Sequence, residues 1–546
     1  MSLRAKLLEN KERKQRKQPP HVIVKAGAGC GKTTTLIELG LYQMKGMDQP
    51  FPPSEEQQAI CNAMMESAKF KSIIMMAFNN SIYEEFAKRV PDGVEATNTH
   101  KFGSRVVRNA YGSIAVNKFR VRDIIARHYN TSSKRLMRKW PTEIKAMENL
   151  AGLCKVNLLN GTREELEHLT SAYHVDTGDF QDRVYRMVPA ILEECMKVGE
   201  HREMDFNDML WLPIVLGLPI PKYDLCLADE AQDFNKAQHQ LTLNAGHRLM
   251  YVGDERQAIY SFCGADSRSL QNLESTLSRQ EQGVITLPLT VTRRCGKAIV
   301  REANKYVEDF HTHPDNPEGK IGHLKMEDTP CTECDGTGNC PYPELSEEYD
   351  YCPVCLGKGT IEFHHFVKEG DMVLCRCNAP LVQQCFRFLK RGIKANINGR
   401  DVARGLISTV DRMKATTMAQ FHENLEAWHH AERVKETQKR NPCEAKLEAI
   451  DDRVVCIQMF AEGKKTIDEI KQSIDQIFSN SDVEGVLFSS IHRAKGLESD
   501  RVFLMMPEKE APIHHTMAKS ADAKEQEMNL LYIAITRAKN EFYYVT

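Results

Sequence analysis

The segment "KAGAGCGKTTTL" at residues 25–36 decides how the rest of this 546-residue chain is read. It follows a short apolar run, "HVIV" at 21–24, and leads into an apolar helical pattern. A strand, a glycine-rich turn and a helix in that order gather backbone N–H groups at a helix N-terminus, a ready anion site. The phosphate-binding pattern asks for a glycine, four residues, then Gly-Lys-Ser/Thr. Gly31, Lys32 and Thr33 satisfy its end, and Ala26 stands where the first glycine is expected. The candidate nucleotide cradle is therefore Ala26, Gly27, Ala28, Gly29, Cys30, Gly31, Lys32, Thr33 and Thr34. Lys32 is expected on the β/γ phosphates and the Thr33 hydroxyl on Mg²⁺.

Such a loop needs an acidic partner at another strand end, and "LCLADEAQD" at 225–233 supplies one. Asp229 suits the Mg²⁺ shell, and Glu230 is placed to orient or deprotonate an attacking water. An Asp-Glu pair ending a strand is by itself a common polar turn; together with the loop it indicates an NTPase.

Further buried-strand runs surround these two: "SIIMMAF" at 72–78 and "LMYVGD" at 249–254, then "DMVLCR" at 371–376, "GVLFSS" at 485–490, "RVFLMM" at 501–506 and "EFYYVT" at 541–546. Apolar runs of this length alternating with helical patterns predict parallel sheets covered on both faces. The expected fold class is α/β, with two P-loop-type parallel-sheet domains. The first is expected over 1–107 and 201–280, with a helical insertion at 108–200. The second is expected over 281–404 and 481–546, with a short helical insertion at 405–480 and a zinc-binding insertion at 325–362. Length agrees with several domains.

Composition excludes little else. Lys plus Arg is 73 and Asp plus Glu 75, so the net charge of −2 neither demands nor forbids a nucleic-acid partner. No apolar run approaches the roughly 20 residues of a membrane helix. The charged start, "RAKLLENKERKQRK", does not resemble a secretory signal. Seventeen cysteines, scattered apart from one cluster, point to a reducing compartment. A cytoplasmic location, in a bacterium or a phage-infected cell, is expected.

The order of motifs carries a resemblance. "AGAGCGKTT", "AFNNSIYEE" (77–85), "TNTHKFG" (97–103), "DEAQD" (229–233) and "VGDERQAIYSFCGAD" (252–266) are similar to the first RecA-like half of a UvrD/Rep-like superfamily 1 helicase. "LTVTRRC" (289–295), "SSIHRAKGLESDRVFL" (489–504) and "LLYIAITRAK" (530–539) resemble its second half. The resemblance implies two RecA-like domains and an ATP- and Mg²⁺-dependent DNA helicase moving 3′ to 5′ on single-stranded or tailed duplex DNA. It also implies roles. Gln257 would sense the γ-phosphate, Arg294 and Arg537 would act as arginine fingers, and Glu498 would hold the nucleotide or brace the cleft. Phe78, Asn79, Thr97, His100, Tyr260 and Phe262 would hold single-stranded DNA, with Arg376, Asn378 and His492 as weaker backbone or coupling contacts.

Some features depart from the family pattern. Cys263 stands where an arginine is usual, and "PSEEQQAI" at 53–60 resembles the adenine-reading signature but falls after the phosphate loop. Gln15 and Gln18 lie too close to that loop to take the role. The insertion segment 118–139, with eight Lys/Arg and one acidic residue, would track phosphates or form a solvated helical face. Two readings stay beside the helicase: a translocase that strips proteins without unwinding, and a nucleotide-switched scaffold.

"CTECDGTG" at 331–338 and "CPVCLGKG" at 352–359 form a C-x₂-C, C-x₂-C set. Cys331, Cys334, Cys352 and Cys355 suit a closed tetrahedral Zn²⁺ site with a structural role. Each half resembles the CxxCxGxG repeat of DnaJ-type modules. A replication or repair protein is the expected partner of this module.

Overall fold

The computed structural model describes residues 19–67, 71–78, 80–173, 175–259, 268–326, 329–330, 337, 339, 358, 360–438, 444–479, 485–506 and 521–546. The chain divides into two compact units, Met1–Val291 and Thr292–Thr546.

The first unit is built on six parallel strands: β1 (His21–Ala26), β2 (Ile73–Ala77), β3 (Val94–Asn98), β4 (Tyr223–Ala228), β5 (Gly246–Gly253) and β6 (Val284–Leu289). Their order is β3-β2-β4-β5-β1-β6. β2 is buried along its whole length, as its unbroken Ile-Ile-Met-Met-Ala run requires of a strand covered on both faces. β6 pairs with β1 from His21↔Val284 to Ala26↔Leu289. The first sheet therefore runs past the boundary expected at residue 280, because the mixed sequence "VITLPL" of this half-exposed edge strand carries a weaker apolar signal.

The insertion between β3 and β4 is helical, with helices at Arg120–His128, Ser133–Lys139, Pro141–Asn157, Arg163–Ala172 and Gln181–Met196. They enclose a core of their own around Ile125, Met147, Leu150, Val188 and Ile191. Inside it Arg120, Lys155 and Asp208 are fully buried, and Asp208 accepts from Arg120 at 2.5 Å and pairs with Lys155 at 2.7 Å. Such charges are tolerated in a core only as a matched set. Here they pin two insertion helices to the helix Phe206–Val215, which leads back to the sheet.

The second unit holds seven parallel strands: β7 (Lys320–Leu324), β8 (Met372–Cys375), β9 (Ala395–Asn398), β10 (Phe478–Ser479), β11 (Val486–Ser490), β12 (Ser499–Met505) and β13 (Ala538–Val545). Their order is β7-β13-β12-β8-β11-β9-β10. Its insertion helices, Met418–Thr437, Glu444–Ala461 and Ile467–Ile477, do not make a separate core. Ile457, Phe460, Ile470 and Ile474 pack in one cluster with Val373 and Phe488 of the sheet and Phe388 of the helix Asn378–Lys390. A short antiparallel ribbon, Thr329–Pro330 with Thr360–Ile361, brackets residues 331–359. The four candidate zinc ligands lie outside the described residues. Among the described residues no helix is long and apolar enough to cross a membrane.

Candidate nucleotide site

Three strands of the first sheet, β4, β5 and β1, lie side by side and end at one edge. The loops after their carboxyl ends form the crevice in which open parallel sheets bind ligands. After β1 the chain turns through Gly29 and Gly31, whose φ values of 67° and 78° belong to the left-handed region that glycine enters without cost. Ala26 is the last paired residue of β1, opposite Leu289, and the Gly27 N–H donates to the Leu289 carbonyl at 2.9 Å. Position 26 is thus still strand, which is why alanine serves where the motif has glycine. Lys32 opens the helix that follows, with the Thr35 N–H bonded to the Gly31 carbonyl.

After β4, Asp229 is fully buried and accepts a 2.6 Å hydrogen bond from the Thr33 hydroxyl. Glu230 sits 3.1 Å from the Lys32 ammonium. Its backbone is left-handed, φ 54°, which a residue with a side chain adopts only under constraint. The constraint is visible: the Glu230 N–H donates to its neighbour Asp229, and its carboxylate accepts from the Gln232 amide at 2.5 Å. Burial, and then the adjacent Glu230 charge, push the Asp229 carboxyl up to about 6, against the pull of Lys32 and the Thr33 hydroxyl. Burial alone would lower Lys32, but the carboxylates of Glu230, Asp254 and Asp229 outweigh it and hold the ammonium above its usual value.

The loop after β5 closes the set. Gln257, nearly buried, donates to the Asp254 carboxylate at 2.9 Å, and the Asp254 N–H donates to the Gln232 side-chain carbonyl at 3.0 Å. A Cβ on Gly253 would lie 2.5 Å from that same Gln232 oxygen, so glycine there makes room for the bridge. Gln232 and Asp254 were not singled out by the sequence reading. Their signal was present, since Gln232 lies two residues after Glu230 and Asp254 three before Gln257, within the same motif segments.

The other candidates are distributed as follows. Phe78, at the end of β2, stacks on buried Phe234 with ring centroids 6.4 Å apart. Thr97 is the penultimate residue of β3, and the His100 imidazole, in the first turn of the helix Thr99–Tyr111, is lowered in pKa by burial. Asn79, Tyr260, Phe262 and Cys263 lie outside the described residues. Of the basic stretch 118–139, Arg120 is a core residue and Arg122 pairs with Glu148, while Lys118, Arg127, Lys134, Arg135, Arg138 and Lys139 are exposed.

In the second unit Arg294 pairs with Glu498 at 2.6 Å, and Glu498 also takes Lys539 at 2.8 Å. Arg537 is only 1% exposed; its guanidinium donates to the carbonyls of Ile533 and Leu497 at 3.1 and 3.0 Å. Arg376 pairs with Glu527, and Asn378, at the start of the helix Asn378–Lys390, donates from both backbone and side chain to Asp452. Burial, then Arg376 and Arg493, push the His492 imidazole down to about 4. Among the described residues no group of three or more His, Cys, Asp or Glu is arranged to hold a metal ion.

The arrangement of the first unit can hold a polyphosphate on backbone N–H groups and Lys32, beside a buried carboxylate–hydroxyl pair. Residues 8–278 match the model of the UvrD/REP helicase N-terminal domain, and residues 485–545 match that of the UvrD-like helicase C-terminal domain. The chain is 22% identical to the ATP-dependent DNA helicase PcrA of Bacillus subtilis, over 96% of this chain and 80% of that protein. It is 25% identical to the ATP-dependent DNA helicase UvrD2 of Mycobacterium bovis, over 58% of this chain and 46% of that protein. It is 23% identical to the F-box DNA helicase protein 1 of Schizosaccharomyces pombe, over 58% of this chain and 33% of that protein. The chain thus spans most of the length of one of these relatives and half or less of the other two. With both terminal domain models matched in order along a fold of two parallel-sheet units, the chain belongs to the UvrD/REP helicase family.

Proposed function

We propose that the chain is an ATP-dependent DNA helicase that moves 3′ to 5′ along single-stranded DNA and separates duplex ahead of it. The observation that carries this reading is the coupled pair of contacts at the strand ends, Thr33 to Asp229 and Lys32 to Glu230. The Thr33 hydroxyl and the Asp229 carboxylate are a hard-oxygen set of the kind Mg²⁺ takes alongside phosphate and water. Bound there, Mg²⁺ would supply charge neutralisation at the phosphates.

The chain's own residues account for the rest. A polyphosphate entering the loop competes with Glu230 for Lys32, and so frees the carboxylate to take a proton from water. Gln232 and the left-handed backbone keep that carboxylate aimed as Lys32 leaves it. Arg294 is the better candidate for the arginine that meets developing charge, since its side chain is 19% exposed and Glu498 orients it. Arg537 must give up its carbonyl partners to do the same, so its first role is to brace β12 and β13 behind Arg294. Phe78, Asn79, Thr97, His100, Tyr260 and Phe262 are the proposed single-strand contacts, base stacking on the aromatics contributing roughly 1–3 kcal/mol each. Arg376 and His492 act as coupling groups.

The test is strand displacement with purified protein, ATP and Mg²⁺ on duplexes carrying 3′ or 5′ single-stranded tails. Unwinding from the 3′ tail alone is the expected result. DNA-stimulated hydrolysis with no displacement overturns the helicase in favour of a translocase, and hydrolysis indifferent to DNA overturns both.

Cys331, Cys334, Cys352 and Cys355 are proposed to bind one structural Zn²⁺. The ribbon at 329–330 and 360–361, which brings both ends of that segment together, supports a self-contained module there. One zinc per chain by elemental analysis, lost in a Cys352→Ser variant, is expected. A metal-free chain with the same melting profile overturns it.

A further inference from the structure

The segment "PSEEQQAI" has no part in the site described so far, yet its helix, Glu55–Met65, makes two contacts that nothing in its sequence announces. Ser54 and Gln57 form a reciprocal cap at its start, which fixes the Gln57 amide. That amide is buried and donates to the Thr35 hydroxyl, in the phosphate-loop helix, at 3.1 Å. One residue earlier, the Glu56 carboxylate accepts both the N–H and the hydroxyl of Thr290, at 2.7 and 2.6 Å.

Thr290 follows the last strand of the first unit, and the chain enters the second unit between Val291 and Thr292. On the far side Thr292 is held within its own unit, its carbonyl accepting from the His313 N–H and the Asn316 amide, each at 3.0 Å. The helix 55–65 also packs on the phosphate-loop helix through Met64, whose sulfur lies 2.1 Å from where a Cβ on Gly40 would be, so its side chain seats on the glycine backbone. Thr35, Gln57, Glu56 and Thr290 therefore form one hydrogen-bonded path from the phosphate loop to the end of the first unit.

We propose that Glu56 is a positioning residue that clamps the connector between the units, and that Gln57 ties this clamp to the phosphate loop. Displacement of the loop helix by nucleotide is then delivered to Thr290, at the end of the first unit. The proposal rests on the helicase reading for its purpose, but the clamp itself is measurable without DNA.

Backbone hydrogen exchange of the peptide 289–294 is followed with and without a non-hydrolysable ATP analogue and Mg²⁺, alongside steady-state hydrolysis. In the wild type the analogue changes exchange at this peptide, and in Glu56→Ala that change is lost. DNA-stimulated kcat falls about tenfold in Glu56→Ala, as expected of a misaligned site, while KM for ATP stays within about twofold. Thr290→Val reproduces the loss of kcat and Thr290→Ser restores it. Thr290→Val also serves if Glu56→Ala does not fold. An exchange response that persists in Glu56→Ala, or KM rising in step with the loss of kcat, overturns the clamp. A wild type whose hydrolysis ignores DNA sinks the helicase reading instead, and the exchange arm still decides the clamp.

Discussion

The two sheets have the same all-parallel build, yet their functional edges carry opposite chemistry. The first collects Asp229, Glu230 and Asp254 around a single lysine, with two glutamines between them. The second collects Arg294, Lys539 and Arg537 around the single carboxylate of Glu498 and a set of carbonyls. One edge is rich in carboxylates, the other in cations. The difference also shows in exposure. The acidic edge is closed on itself, with Asp229 buried, whereas Arg294 stays partly open. The lesson is that a shared fold does not set the chemistry of its strand ends, which the local residues decide.

The sharpest way to break this contrast is to remove the pair at its centre. Lys32→Ala and Glu230→Gln should each abolish turnover, by a factor of about 10³ or more, with nucleotide binding kept in Glu230→Gln. Single-turnover hydrolysis alongside a fluorescent-nucleotide titration separates the two. On the opposite edge, Arg294→Ala should lower DNA-stimulated kcat by about 10³ with little change in melting temperature. Arg537→Ala should instead cost about 2 kcal/mol of stability in the second unit, because a buried, multiply bonded guanidinium leaves its carbonyl acceptors unpaired. Calorimetry on the two variants reads that split; an Arg537→Ala chain that melts like the wild type contradicts the bracing role.

Smaller effects sharpen the picture. Gln232→Leu should reduce kcat by about 10- to 100-fold through loss of aim at Glu230, and Gly253→Ala, which crowds the same amide, should follow it in direction. The least effect concerns stability and pH. Burial, then His365 and Arg391, push the His364 imidazole from 6.5 down to about 4, so the folded state favours its neutral form. The unfolded chain binds the proton first. The contribution is therefore whole above pH 6.5 and is lost as the pH falls toward 4, amounting to about 1–2 kcal/mol at pH 5. Melting of the second unit across pH 5–7 should flatten in His364→Asn.

Much of this was legible in the residues. All eight apolar runs read as strands are strands, because continuous burial on both faces leaves an unbroken apolar signature. The five sheet strands that escaped reading are the ones that signature does not mark: β3 with Glu95 and Thr97, β6 with Pro288, β7 with Lys320 and His323, β9 with two asparagines, and β10 with two residues. Thr33 and Lys32 were assigned from the loop motif, Asp229 and Glu230 from the acidic strand end, and the structure brings them into contact. Gln232 and Glu56 were not assigned: each also bonds a residue of another segment, Asp254 for one and Thr290 for the other, and that pairing is not written in the local sequence. The burial of Arg537 was equally invisible, because a Thr-Arg-Ala turn reads the same whether its arginine faces solvent or carbonyls.

The ribbon of Thr329–Pro330 and Thr360–Ile361 has a consequence for how such a chain can change over time. A segment that departs and returns through one pair of adjacent strands adds nothing to the register of the main sheet. Lengthening it costs only about 0.6 kcal/mol of closure entropy for each doubling. The ribbon is therefore a socket: whatever lies between residues 330 and 360 can be exchanged, shortened to a tight turn or replaced by a reporter domain while the motor keeps its geometry. The insertion at 405–480 has no such freedom, since its helices supply part of the wall of the second unit's core.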